Sequence, residues 1–140
     1  MKHKILENTH EFHVIIPGDY NSIYRQDKVI YIPMNFDLAF IDLVRSSSHV
    51  IGKGGYSTVS ECWGMNIPFT GVFREHFPES KVLREFCQKA LTFNEMSYPA
   101  FIDGSWVELI NNLPVTTIKH SPRINGATQA VEEIVNFINE

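Results

Sequence analysis

The stretch His49-Val50-Ile51-Gly52-Lys53-Gly54-Gly55-Tyr56-Ser57-Thr58-Val59-Ser60-Glu61 decides how the chain is read. Val50-Ile51 is a short apolar run of the kind that fills a buried parallel strand. Gly52, Gly54 and Gly55 then permit a tight turn and a close backbone approach that side chains would block. From Ser57 onward the pattern is helical, with Val59, Cys62 and Trp63 on one stripe. A strand, a glycine turn and a helix start together form an anion-binding device. The N–H groups of the first helical turn have no intrahelical acceptor, and the helix dipole adds roughly half a positive charge there. The expectation is a cradle for a nucleotide diphosphate; the alternative is a strand-to-helix turn that holds no ligand.

Two familiar glycine patterns do not fit. Gly52-Lys-Gly54-Gly-Tyr-Ser57-Thr-Val59 resembles the glycine-rich loop of protein kinases, but that loop belongs to a hairpin followed by a strand lysine, His-Arg-Asp and Asp-Phe-Gly. Here no lysine follows until Lys81 and neither triplet occurs. A Walker A loop places Lys-Ser/Thr after its second glycine, whereas Lys53 precedes Gly54.

At 140 residues the chain is expected to form one domain, spanning 1–140, with room for a proper core. Its 44% apolar and 20% charged residues are ordinary for a globular protein. A net charge of −4 without any basic stripe argues against a nucleic-acid partner. Cys62 and Cys87 are far apart, outside any CxxC, which suits a reduced cytoplasmic thiol pair. Neither a secretory segment nor a membrane-length apolar run is present in the sequence. The histidines show no metal-ligand spacing.

In chain order, Phe12–Ile16 reads as a strand stopped by Pro17-Gly18, and Val29–Ile32 as a second stopped by Pro33. Asp37–Arg45 is helical through Leu38, Phe40, Ile41 and Val44, with Asn35 or Asp37 as cap. Val50-Ile51 is a third strand and Ser57–Met65 its helix, ended by Gly64 and Pro68. Phe69–Phe73 is a fourth strand, Pro78–Lys89 a helix turning Val82, Leu83 and Phe86 inward, and Ala90–Phe93 a fifth strand. Trp63 and Phe86 are expected in the core. Asp103 or Ser105 caps a helix through Asn112. Asn125 or Thr128 opens the last helix, with Ala130, Ile134, Val135 and Ile138 toward the core. This alternation indicates βαβ units, hence an α/β fold with a Rossmann-like parallel sheet flanked by helices. Ligands in such sheets collect at the carboxyl ends of strands, where the Gly52–Ser57 turn and Arg74-Glu-His-Phe-Pro-Glu79 both fall.

Gly54-Gly-Tyr-Ser-Thr-Val-Ser-Glu61, followed by Gly64-Met-Asn-Ile-Pro68 and Arg74-Glu75 with Pro78-Glu79, resembles the C-terminal domain of GT-B glycosyltransferases. The family 28 enzymes, including the peptidoglycan N-acetylglucosaminyltransferase, are similar, and the spacing from Gly55 to Glu61 also resembles the donor signature of plant and animal UDP-glycosyltransferases. The resemblance runs from about Val29 to Phe86, and Asn125-Gly-Ala127 fits the same domain.

The resemblance implies a UDP-sugar ligand without a further cofactor or metal. The backbone of Gly54, Gly55 and Tyr56, with the Ser57 and Thr58 hydroxyls, would bind the donor diphosphate. Glu61, about 6 Å further along the same helix face, would accept hydrogen bonds from both ribose hydroxyls. Thr58-x-x-Glu61 also spells a capping box, which needs no ligand. Lys53 could supply a phosphate charge or simply be solvated. Arg74, Glu75 and Glu79 match the loop that contacts the sugar in the family; they are equally a helix start whose acids favour the dipole. The Asp-Gln pair of the plant enzymes is missing, so the sugar stays open.

A GT-B enzyme carries its acceptor site and usual base on an N-terminal domain, for which this chain has no room. The chain is expected to begin after the first strand of the C-terminal domain. It would contain no catalytic residue and would need an acceptor-domain partner, as in the split dolichol-pathway N-acetylglucosaminyltransferase. A non-catalytic partner, sensor or remnant module of the same fold is the alternative, and a fragment of a UDP-sugar 2-epimerase is a weaker third reading.

Overall fold

The computed structural model describes residues 13–37, 39–111 and 126–139. Phe12, Leu38, Asn112 and Asn125 lie outside them. The chain is α/β, and its centre is a parallel sheet in the order β4 (Val50–Lys53), β5 (Phe69–Val72), β6 (Phe93–Glu95). Val50 pairs with Phe69, and Phe69 with Phe93. Because side chains alternate across a sheet, this row and Phe73 lie on one face. There they meet Val44 of α1 (Phe40–Arg45), Val59 and Cys62 of α2 (Tyr56–Met65), and Leu83 and Cys87 of α3 (Pro78–Ala90).

The opposite face carries Ile51, Val72 and Met96. These pack with Val29 and Tyr31 of β3 (Val29–Pro33), Phe101 of α4 (Tyr98–Asp103), and Trp106 and Val107 of α5 (Trp106–Asn111). With helices on one side and β3, α4 and α5 on the other, the sheet is buried on both faces. This is why β4 opens on the consecutive apolar pair Val50-Ile51 and every residue of β5 is buried. Between β4 and β5 and between β5 and β6 the connections are helical, the Rossmann-like arrangement expected from the alternation.

The N-terminal third departs from that expectation. β1 (Val14–Gly18) pairs parallel with β3, but β2 (Tyr24–Gln26) lies between them in sequence and pairs antiparallel with β3. A hairpin through left-handed Asp27 (φ 54°) therefore replaces the crossover helix. β2 is exposed throughout and polar at Arg25 and Gln26, so nothing apolar announces it. Elsewhere the corrections are local. α1 starts at Phe40, with Ala39 as its N-cap and no side-chain cap, so neither Asn35 nor Asp37 caps it. The fifth strand begins at Phe93, because α3 continues through Ala90. On α3 the inward residues are Ser80, Leu83 and Cys87, while Val82 and Phe86 are exposed. Trp63 is half-buried and meets Phe86 edge to face with ring centroids 5.9 Å apart.

The helix expected after Asp103 or Ser105 is α5, and it is preceded by a further short helix, α4. Ser97 caps α4 by accepting from Ala100 N–H, Gly104 (φ 83°) turns the chain, and Asp103 accepts from both the amide and hydroxyl of Ser105. The last helix, α6 (Gly126–Asn139), keeps its apolar stripe, but Ile134, Val135 and Ile138 are exposed instead of packed in a core. No described helix is long and apolar enough to cross a membrane.

Two buried polar features have physical consequences. Cys62 and Cys87 are free thiols at the α2–α3 contact. Burial pushes Cys62 up to about 12, helped by the nearby Glu61 charge, and Cys87 up to about 11, so both are poor nucleophiles. His49 Nε2 lies 2.8 Å from the Thr70 hydroxyl, and burial pushes its pKa down from near 6.5 to about 4.

His49 is therefore neutral when folded but takes up a proton when unfolded below pH 6.5. Stability should be level above that pH and fall as pH drops from about 6.5 towards 4, by at most about 1.4 kcal/mol per pH unit from this group. Urea titrations at pH 7 and pH 5 should show the loss in the native chain and a smaller loss in His49→Gln. An equal loss in both would exclude His49 as its source.

Candidate functional site

Gly54 and Gly55 connect the carboxyl end of β4 directly to α2. Gly54 N–H donates to Val72 O at 2.9 Å, continuing the β4–β5 ladder, and Gly55 N–H donates to Lys53 O at 2.9 Å. None of Gly52, Gly54 and Gly55 has a positive φ, so backbone conformation alone does not demand glycine here. Gly54 is required by packing: a Cβ would run into the Phe73 ring, well inside contact distance. Gly55 and Gly52 meet nothing within 4 Å of a built Cβ.

Gly55 is the N-cap of α2, extended at φ −104° and ψ 161°, with no side chain capping the helix. The Tyr56, Ser57 and Thr58 amides thus occupy the first turn, where N–H groups lack intrahelical acceptors. Placing Gly55 at the N-cap also corrects the capping-box reading. Thr58 is the third residue of the helix and Glu61 the sixth, so the pair sits one turn too late to form that motif. At its other end α2 closes on left-handed Asn66, with Asn66 N–H to Trp63 O and Ile67 N–H to Cys62 O. Gly64, expected to end the helix, lies within its last turn.

A hollow of about 530 Å³ runs along α2, lined by Ser57, Ser60, Glu61, Gly64 and Met65 with Ile41 of α1. Glu61 is half-buried, and its Oε2 is sealed from solvent with no hydrogen-bond partner among the described residues. Burial pushes its carboxyl pKa up. A carboxylate oxygen in that state is an acceptor waiting for a donor. Ser60 spends its hydroxyl within the helix, donating to Tyr56 O and, at 3.2 Å, to Ser57 O.

Of the residues the sequence singled out, Ser57 and Glu61 share this hollow. Gly54, Gly55, Tyr56 and Thr58 form its N-terminal approach without lining it. Arg74, Glu75 and Glu79 are exposed and follow the end of β5, next to the glycine loop in the sheet. Arg74 stacks over Phe77 at 5.5 Å, and Glu79 sits in the first turn of α3. They do not line the hollow. Ser60 and Met65 were legible as helical neighbours of Ser57 and Glu61, whereas Ile41 arrives from another helix and had no local signal. A separate hollow of about 340 Å³ is lined by Asp19, Tyr20, Asn21, Ser22 and Tyr24, all from the β1–β2 connection and the start of β2. Among the described residues no cluster of three or more His, Cys, Asp or Glu is arranged to hold a metal.

Over 104 residues, 71% of the chain, the sequence is 28% identical to L-arabinokinase of Arabidopsis thaliana. The chain spans only 10% of that protein's length. No family model matches the chain, and no solved structure matches it.

The two loop glycines should differ in what they tolerate. Gly54→Ala must displace the Phe73 ring and should lose about 1–3 kcal/mol of stability. Gly55→Ala exchanges one N-cap for a poorer one and should lose no more than about 1 kcal/mol. Denaturant unfolding of both variants checks the order, and a Gly55→Ala loss exceeding that of Gly54→Ala would contradict the packing.

Proposed function

We propose that the chain is the nucleotide-sugar donor-binding domain, or subunit, of a GT-B-type glycosyltransferase, taking a UDP-sugar and relying on a partner acceptor domain for transfer. The observation that carries this reading is the uncapped start of α2 behind Gly55, with Glu61 about 6 Å beyond Ser57 along the helix and one of its oxygens without a partner among the described residues.

Each part has a matching chemical task. The diphosphate would accept from the first-turn amides of α2 and the Ser57 and Thr58 hydroxyls, aided by the helix dipole and the Lys53 charge. The vicinal ribose hydroxyls would donate to the Glu61 carboxylate where it faces the hollow. Arg74, Glu75 and Glu79, at the neighbouring strand end, would face the sugar. Inverting transfer would follow deprotonation of the acceptor by a base supplied from the partner domain. The isolated chain would bind donor without turning it over.

The similarity to L-arabinokinase favours a second reading, a piece of a sugar-phosphorylating enzyme with a nucleoside triphosphate on the same loop. Against it, Lys53 lies ahead of Gly54, outside the Walker A arrangement. A non-catalytic module of the same fold would bind none of these ligands. Calorimetric titration of the whole chain with UDP, UDP-GlcNAc, GDP, ATP and L-arabinose separates the three.

In a chain that binds UDP, Glu61→Gln should lose several-fold in affinity, on the order of 1 kcal/mol, because a charge-assisted acceptor becomes a neutral one. Its melting temperature should hold, since Glu61 caps nothing. Gly55→Ala should weaken UDP further by placing a methyl group against the phosphates. Unchanged UDP affinity in both variants would remove Gly55 and Glu61 from the site.

A further inference from the structure

Arg84 stands outside both the glycine loop and the Arg74–Glu79 segment, yet its guanidinium meets the ring beneath that loop. Its Cζ lies 5.3 Å from the centroid of the Phe73 ring, and its Nε donates to Glu95 Oε1 at 2.8 Å. Phe73 directly follows β5 and is 7% exposed. Its Cδ1, Cε1 and Cζ atoms occupy the space of a Gly54 side chain, and its Cε2 is 3.1 Å from a Cβ built on Gly71. The ring therefore has no room to shift towards the loop without striking the Gly54 backbone. Phe93 meets it at 6.0 Å between centroids and 70° between planes. Arg84 adds a restraint from α3, and Glu95, at the end of β6, orients Arg84.

Fold stability is a poor reason for this pair. The two side chains are 32% and 37% exposed, and an ion pair so open to solvent contributes little to folding. A cation over an aromatic face is a directional contact, and here it falls on the ring against which Gly54 is pressed. Resting on the nucleotide reading above for its ligand, we propose that Arg84, oriented by Glu95, is a positioning residue for the glycine loop. It acts without touching the ligand. Arg84 holds Phe73, and Phe73 sets where Gly54 and Gly55 deliver the first-turn amides of α2. Without the guanidinium the ring gains room to tilt, and the turn loosens while the sheet stays folded.

The Gly54 amide reports on the turn directly, because it donates to Val72 O at the end of the β4–β5 ladder. Arg84→Met keeps a long stem over the ring but loses the cation. In that variant hydrogen exchange at Gly54 should quicken by about tenfold or more. Exchange at Val50 and Phe69, whose amides donate to Pro68 O and Thr92 O at the other end of the same sheet, should not change. The melting temperature should move by no more than about 4 °C. UDP affinity should fall several-fold, and Arg84→Lys should recover part of both losses. Equal quickening at all three amides would mark a general loss of stability, and unchanged exchange at Gly54 would leave Arg84 without influence on the loop; either result overturns the proposal. So does undiminished UDP affinity in a variant whose Gly54 amide has loosened. Should Arg84→Met not fold, Glu95→Gln carries the same comparison in milder form. Failure of the native chain to bind UDP removes the nucleotide reading, and the exchange pattern still decides whether Arg84 positions the loop.

Discussion

The Phe73 ring is the contact on which the site depends. It lies where Gly54 would carry a side chain, and it crowds Gly71 at 3.1 Å from a built Cβ. Phe69 and Phe93 close in on the same glycine, at 2.7 and 3.1 Å, and Phe93 meets Phe73 with ring centroids 6.0 Å apart. Arg84 of α3 covers Phe73 at 5.3 Å while pairing with Glu95 at the end of β6. One ring therefore ties the glycine loop to β5 directly and to β6 through Phe93 and Arg84. With Gly54 pressed onto that ring and bonded to Val72 O, the chain has little freedom over where α2 begins. The open first turn of α2 is thus directed by packing beneath it, without help from a cap.

The rest of the core explains how the sheet can supply such an edge. Helices α1 to α3 cover one face, and β3, α4 and α5 cover the other. The buried polar groups are handled differently on the two sides. Thr70 is satisfied by a neutral His49, whereas Cys62 and Cys87 are kept as protonated thiols by burial. Glu61 keeps one carboxyl oxygen without a hydrogen-bond partner among the described residues. Interiors rarely leave an acceptor in that state, and Glu61 also lines the α1–α2 hollow.

Several sequence expectations failed for reasons that are themselves structural. β2 leaves no sequence signal because an exposed edge strand of Tyr24, Arg25 and Gln26 has no buried face to impose alternation. On α3 the stripe through Leu83 and Cys87 is the buried one, and Val82 and Phe86 belong to its outer flank. Gly64 reads as a helix stop because glycine commonly occupies the left-handed position after a helix. Asn66 takes that position here, and Gly64 is left inside the last turn.

Local chemistry was enough to reveal the parallel sheet and the strand–glycine–helix unit. Val50-Ile51 is an apolar pair without alternation because both sheet faces are covered, Phe69–Val72 is buried throughout, and Ser57 to Met65 carries its own helical stripe. Burial, register and convergence belong to the tertiary structure. Sequence spacing put Thr58 and Glu61 in a capping box, but the helix starts where Gly54 meets Phe73, and that shifts Glu61 into the second turn. The sequence likewise grouped Arg74, Glu75 and Glu79 with the glycine loop through neighbouring strand ends, yet the hollow is lined by Ile41 from a separate helix instead. Residues 20 positions apart meet only when two helices pack, and no local periodicity encodes which flank of α2 that contact will leave open.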